Sequence, residues 1–291
     1  TDSHAGSRVA RAGRRGRAVN LMTVNHTQAV VMDCHLHLYY CFDRDASLAG
    51  LVRRLDLLAG AGFSQPPVRV ALLYERHGEH AFDRLAGCQA GPFTIVRGNE
   101  PGTLLVSDKS GAALWIIAGR QINTVERIEI LAPAGSVDMP DGRPARDVIS
   151  AIRGAGLVPA LAWAPGKWLF GRGTLVRDIV GESGPGELLL CDSAIRPRCM
   201  PLPPAMRLGL KRGLGIIAGS DPLPFRGDDK WMGTYGIATP CDFDPQLPAT
   251  SIRKLLAGLR GKTHIAGRRG AVFSAIFRLV AHHRARHRDA S

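Results

Sequence analysis

The stretch 29-AVVMDCHLHL-38 decides how the rest of the chain is read. It starts with an apolar run that includes the β-branched Val30 and Val31, which suits a buried strand. It then carries Asp33, His35 and His37 at alternate positions. Alternate side chains of a strand share a face, so these three are expected to project together. Cys34, Leu36 and Leu38 would point the other way. Two imidazoles one step apart at a strand end are placed to hold one divalent cation.

Working outward, apolar runs of strand length alternate with segments of helical spacing. Strands are expected at 68-VRVALLYE-75, 127-RIEILA-132, 157-LVPALAWA-164, 187-ELLLCD-192 and 214-LGIIAGSD-221. Three more, 93-FTIVRG-98, 103-TLLVSD-108 and 113-ALWIIAGRQ-121, lie close together, and 109-KSGA-112 makes the last two a hairpin. Helical segments follow most of them, among them 144-PARDVISAIRGAG-156, with Pro at its start and Gly at its end. Repeated strand–helix units predict an α/β fold with a parallel sheet. The expected form is a distorted (β/α) TIM-like barrel of about seven strands, plus the hairpin. An open Rossmann-type sheet lacks support, because no GxGxxG follows the first strand and no P-loop is present. The expected organisation is a basic N-terminal extension at 1–26, one barrel domain at 27–261, and a basic C-terminal helix and tail at 262–291. The Pro- and Gly-rich stretch 221-DPLPFRGDDKWMGTYG-236 reads as a lid or specificity loop.

Composition narrows the function classes. The 291 residues are 45% hydrophobic and 22% charged, which excludes wholesale disorder. No apolar run reaches the roughly 18 residues of a membrane span, so no membrane partner is expected. The formal net charge of +13 is unevenly spread: residues 1–26 carry +4 and residues 262–291 carry +6, which leaves +3 for the centre. The expected contact with nucleic acid is therefore limited to non-specific phosphate contacts by the tails. The six cysteines include no CxxC pair, a pattern that suits a reducing cytoplasm.

Several strands end in a carboxylate: Glu75, Asp192 and Asp221, with Glu129 inside another. In a barrel these ends share one mouth, where carboxylates can complete a metal shell or serve as general base. His77 and His80, with Glu79 between them, offer further nitrogen ligands just after the second strand. Arg120, Lys167, Arg172 and Arg196 gather near the same mouth, and guanidinium groups suit bidentate contact with carboxylate or phosphate. A small anionic substrate is expected, bound by Arg120, Lys167 and Arg196.

The HxH that closes the first strand and the 219-GSD-221 that closes the last resemble the PHP (polymerase and histidinol phosphatase) and amidohydrolase families of metal-dependent hydrolases. Further stretches, 119-GRQINTVERIEILA-132, 165-PGKW-168, 191-CDSAIRPR-198 and 219-GSDPLPFRG-227, are similar to an uncharacterised PHP-like branch, so the resemblance covers about 27–240. It implies a barrel with metal at the strand ends, His35 and His37 as ligands, and Asp221 as ligand or base. Glu75 or Glu129 would stand where PHP proteins use a bridging Glu. The middle strands supply none of the further His that amidohydrolases use, which implies one Zn or Mn ion, or none, rather than a cluster. Two functions follow as expectations. One is hydrolysis of a phosphoester, amide or lactone by metal-activated water, with Glu75 completing the metal shell and Asp221 or Asp192 accepting its proton. The other is a barrel without catalysis that binds a ligand or partner.

Overall fold

The computed structural model describes Thr1 and residues 28–60, 63, 65–88, 91–262 and 264–288. Apart from Thr1, the expected extension at 1–26 lies outside the described residues. The chain forms a mixed α/β fold around a nearly closed, barrel-like sheet. The sheet has eleven strands where about seven were expected.

Strands β1 (Gln28–Leu36), β2 (Val68–Glu75) and β5 (Ala113–Asn123) run parallel. Strand β6 (Glu129–Ala132) then runs antiparallel to both of its neighbours, β5 and β7 (Ala160–Ala162). Strands β8 (Leu189–Ser193) and β9 (Gly215–Gly219) continue parallel to β7. The expected parallel order of the core strands is thus corrected at β6. The connection from β5 to β6 is a short turn with no crossover helix, and such a turn can only join antiparallel strands. The reversal puts Glu129, at the start of β6, beside the C-terminal end of β5. The hairpin strands β3 (Phe93–Arg97) and β4 (Thr103–Asp108) extend antiparallel from β5.

The stretch read as a lid ends in a strand. Tyr235–Cys241 forms β10, antiparallel to the first half of β1, and Ile265–Gly267 forms β11 beside it. The β10 residues were overlooked because Gly and Pro break their apolar run. Helices pack outside: α1 (Arg44–Ala59), α2 (Ala81–Ala86), α3 (Ala145–Gly154), α4 (Phe170–Glu182) and α5 (Pro204–Lys211). Asp43 caps α1, accepting from the Ala46 N–H at 2.9 Å. Helix α6 (Pro248–Gly258) contributes Ile252 and Leu256 to the barrel interior, near the strand starts at Val68 and Trp115. Helix α7 (Val272–Arg288) packs back onto the fold, and its Arg278 is buried.

The barrel closes where the second half of β1 meets β9. Gly219 lies so close to β1 that a Cβ there would stand 2.3 Å from the backbone nitrogen of His35. The Asp221 N–H donates to the His35 carbonyl at 2.8 Å. The buried Asp33 carboxylate completes the seam. It accepts from the Ser220 N–H at 2.9 Å and hydroxyl at 2.5 Å, from the Gly233 N–H at 2.8 Å, and from the His35 N–H at 3.2 Å. One side chain therefore ties β1 to the end of β9 and to the approach to β10. Burial pushes the Asp33 carboxyl above its usual value, and these donors work against that rise.

Asp33→Ala would leave buried N–H donors without an acceptor. The expected loss of unfolding free energy is about 3 kcal/mol, read from urea denaturation. A loss below about 1 kcal/mol would show that Asp33 does not close the barrel.

Candidate metal centre

The site begins with an irregularity in β1. Asp33 pairs with Ala71 and Leu36 with Leu73, so three steps on β1 face two steps on β2. The extra residue is a β-bulge, which changes the side-chain alternation. Before it, Val30, Met32 and Cys34 point into the barrel, while Val31 packs outward against α1. After it, Leu36 is outward again, and His35 and His37 face the interior mouth. The expectation that Asp33 projects with the two histidines is corrected here: the bulge separates them, and Asp33 closes the seam instead.

His35 Nε2 lies 3.1 Å from His37 Nε2 and 3.9 Å from Asp221 Oδ1. One ligand atom from each of the three residues falls within 4.8 Å of the others, the one such group among the described residues. Two nitrogens bound about 2.1 Å from one metal stand about 3 Å apart, so the spacing fits. His37 Nδ1 lies 2.9 Å from the Tyr74 carbonyl oxygen, which can only accept. The ring hydrogen therefore sits on Nδ1 and the Nε2 lone pair faces His35. Burial, helped by the neighbouring His35, lowers His37 to about 4, so the ring is neutral at physiological pH. His35 Nδ1 is buried without a hydrogen-bond partner. The Nε2 atoms of His35 and His37 with a carboxylate oxygen of Asp221 are a donor set that suits one divalent cation. Three protein ligands leave coordination positions open.

Asp221 is held from several sides. Ser193 Oγ donates to its Oδ2 at 3.0 Å, and Arg278 Nη2 donates to its carbonyl at 2.9 Å. Its φ of 47° lies in the left-handed region, which an Asp tolerates better than most residues. The Tyr39 ring stacks on His37, and Gln121 Oε1 lies 3.1 Å from His35 Nε2.

Other residues singled out from the sequence have different placements. Glu75 follows the inward Tyr74, so it faces outward and accepts from the Phe82 N–H at 2.8 Å in the first turn of α2. It does not join the metal group. Asp192 follows the inward Cys191 and forms a buried bidentate pair with Arg196, at 2.7 and 2.5 Å, while also accepting from the Tyr235 hydroxyl. Arg196 is thereby held by Asp192 and by the Met200 and Pro201 carbonyls, so both residues serve the fold. Arg120 Nη2 meets His77 Nδ1 at 3.1 Å, away from the metal group, and His80 precedes α2.

Lys167 does reach the mouth, where it pairs with Glu129 at 2.7 Å. Both line a cavity of ≈ 500 Å³ that has Asp221 in its wall, together with Arg76, Arg127 and Arg172. Arg76 and Arg127 were not anticipated, nor were Tyr39, Gln121 and Ser193. Strand parity could have found two of them: Gln121 follows Ile117 at an even interval and Ser193 follows Cys191, while Arg76 and Tyr39 lie beyond the ends of β2 and β1.

No family model and no curated protein matches the sequence. Among solved structures, PsfC from Pseudomonas syringae PB-5123 superposes with a TM-score of 0.50 at 13% identity, over 89% of this chain and 98% of that one. At that identity the likeness is one of fold. The lesion-specific endonuclease PfuEndoQ from Pyrococcus furiosus gives 0.48 at 12% identity, over 81% of this chain and 58% of that one. An endonuclease Q complex with a 27-mer duplex bearing an abasic lesion at its active site gives 0.45 at 13% identity, over 86% of this chain and 67% of that one. With a duplex-bound endonuclease among the neighbours, the expectation of a small anionic substrate, with nucleic acid confined to tail contacts, is withdrawn. Among the described residues, no helix is long and apolar enough to cross a membrane.

The low pKa of His37 has a consequence for stability. The unfolded chain takes up this proton near its ordinary value of 6.5, and the folded chain only near 4. Between those values the unfolded state binds more protons, so stability falls as pH falls from 6.5 to 4. Urea midpoints in chelator-treated buffer should follow that slope, and His37→Gln should flatten it. An unchanged slope in the variant would contradict the assignment.

Proposed function

We propose that the chain is a PHP-like, metal-dependent hydrolase that cleaves phosphoester bonds, with a nucleic-acid phosphodiester as the first substrate to test. The observation that carries this reading is the convergence of His35, His37 and Asp221 at the C-terminal ends of β1 and β9, with open space beside them. Active sites of barrel enzymes form at that end of the strands.

A divalent cation bound by these three residues would supply Lewis-acid polarisation and a water of lowered pKa. The chain's own residues supply the rest. Tyr74 fixes the His37 tautomer through its carbonyl, and Tyr39 holds the ring plane from the other face. Ser193 donates to Oδ2 of Asp221, which leaves Oδ1 turned toward His35, where it would hold the cation. Arg76, Arg127, Lys167 and Arg172 line the cavity and match the charge of a phosphate. Asp192 is not assigned the base, because its carboxylate is occupied by Arg196 and Tyr235.

Elemental analysis of the purified chain should find close to one Zn or Mn per molecule. His35→Ala and His37→Ala should each weaken metal affinity at least about tenfold, read by calorimetry. Asp221→Asn should abolish metal-dependent cleavage of a labelled oligonucleotide while the fold survives, read by circular dichroism. Absence of bound metal, together with equal metal affinity in the histidine variants, would remove this function.

A further inference from the structure

A second cleft, of ≈ 420 Å³, lies on the side of β10 and β11 and is lined by Arg54, Arg198, Arg268, Arg269, Trp231 and Gly233. None of its lining residues lines the cavity beside Asp221. Elsewhere in the fold, a buried arginine has its own carboxylate: Arg196 has Asp192 and Arg278 has Asp228. The four arginines of the cleft are half-buried (Arg54, Arg269) or exposed (Arg198, Arg268). Among the described residues none of them forms an ion pair with a carboxylate, and no acidic residue lines the cleft.

Two of the four are fixed in place by neutral partners. Arg54 Nη2 donates to the Asp229 carbonyl at 3.0 Å, and its Nε donates to the Met232 carbonyl. Arg269 Nη2 donates to the Arg198 carbonyl at 3.2 Å, and its Nη1 to the Pro197 carbonyl at 3.3 Å. Carbonyls orient a guanidinium but leave its charge intact. Burial pushes Arg54 below its usual value, with Asp229 only partly offsetting it. Four like charges held around one hollow repel one another, and an external anion would relieve that cost. The planar donor fork of Arg matches a phosphate best. Leu57, Leu58 and the Trp231 ring give the rest of the wall an apolar part, beside Thr234. Such a wall suits a planar or apolar group attached to the phosphate.

We propose that this arginine cleft is a second binding site, separate from the metal centre, for a phosphate ester that carries a planar base. Gly233 forms part of its wall and donates to Asp33, so an occupant would sit against the seam that closes the barrel.

Calorimetry on the full chain in the presence of EDTA tests this independently of the metal centre. The probes are inorganic phosphate, adenosine monophosphate and a short single-stranded oligonucleotide. The double variant Arg198→Ala/Arg268→Ala alters exposed side chains, and Arg97→Ala/Arg177→Ala, two exposed arginines outside both cavities, serves as the control. The double variant should weaken phosphate-ester binding at least about tenfold, and the control by less than about twofold. Its log-affinity against log-salt slope should also fall by about two for the oligonucleotide. Saturable binding of the mononucleotide would make a free nucleotide the source, and binding of the oligonucleotide alone would make it a strand; in both cases the cleft variant must lose it. No saturable binding, or equal loss in the two variants, would overturn the proposal.

Discussion

The closure of the barrel rests on one buried carboxylate. Asp33 gathers donors from β1, from the end of β9 and from the approach to β10. A sheet of this curvature must bring its last strand against its first, and here the two halves of β1 have different neighbours. The first half takes a regular antiparallel ladder from β10, and the second half meets β9 at Gly219. A buried anion is costly unless it is hydrogen-bonded on every side, and the seam supplies those donors. The same seam brings His35 and Asp221 together, since the Asp221 N–H bonds the His35 carbonyl.

The candidate centre depends on one extra residue. Without the bulge between Asp33 and Leu36, strict alternation would send both histidines to the face that Val31 occupies against α1. Regular alternation governs the other strands and decides which carboxylates reach the mouth. Tyr74, Gln121 and Ser193 fall on the inward parity, and Glu75 and Asp192 on the outward one. A carboxylate facing outward finds a helix terminus or an arginine there, as Glu75 and Asp192 do.

Charge is distributed by the same logic of partners. Within the basic C-terminal segment, Arg278 is buried, bonded to Asp228 and to the carbonyl of Asp221, and stacked over Trp231 at 4.9 Å. It is a structural cation that ties α7 to the mouth. A buried pair of this kind is costly to break, because either partner alone would be left as an uncompensated charge. Other arginines line two hollows, Arg76, Arg127 and Arg172 beside Asp221 and Arg54, Arg198, Arg268 and Arg269 behind the seam.

Much of the fold was legible from local pattern. The run 68-VRVALLYE-75 coincides with β2, and 103-TLLVSD-108 with β4, because a short apolar run of strand length needs no distant information. The HxH pair and the GSD that ends the last core strand were also visible as polar residues following apolar runs. Strand direction was not visible: the reversal of β6 depends on a short connection, and β10 is stabilised by its ladder to β1 rather than by its own pattern. Nor could the sequence place Asp33 in the seam, turn His35 and His37 inward, or withdraw Asp192 into its pair with Arg196. Arg196 is only four positions from Asp192, but the Tyr235 hydroxyl on Asp192, the Ser193 bond to Asp221 and the seam bonds of Asp33 to Ser220 and Gly233 join residues 28 to 200 positions apart, and such partners are chosen only when the barrel closes. The sequence by itself determined most of the kinds of element and the candidate ligand residues. The tertiary structure decided which of those residues share a face, because one bulge and one buried carboxylate set the register of the closing strands.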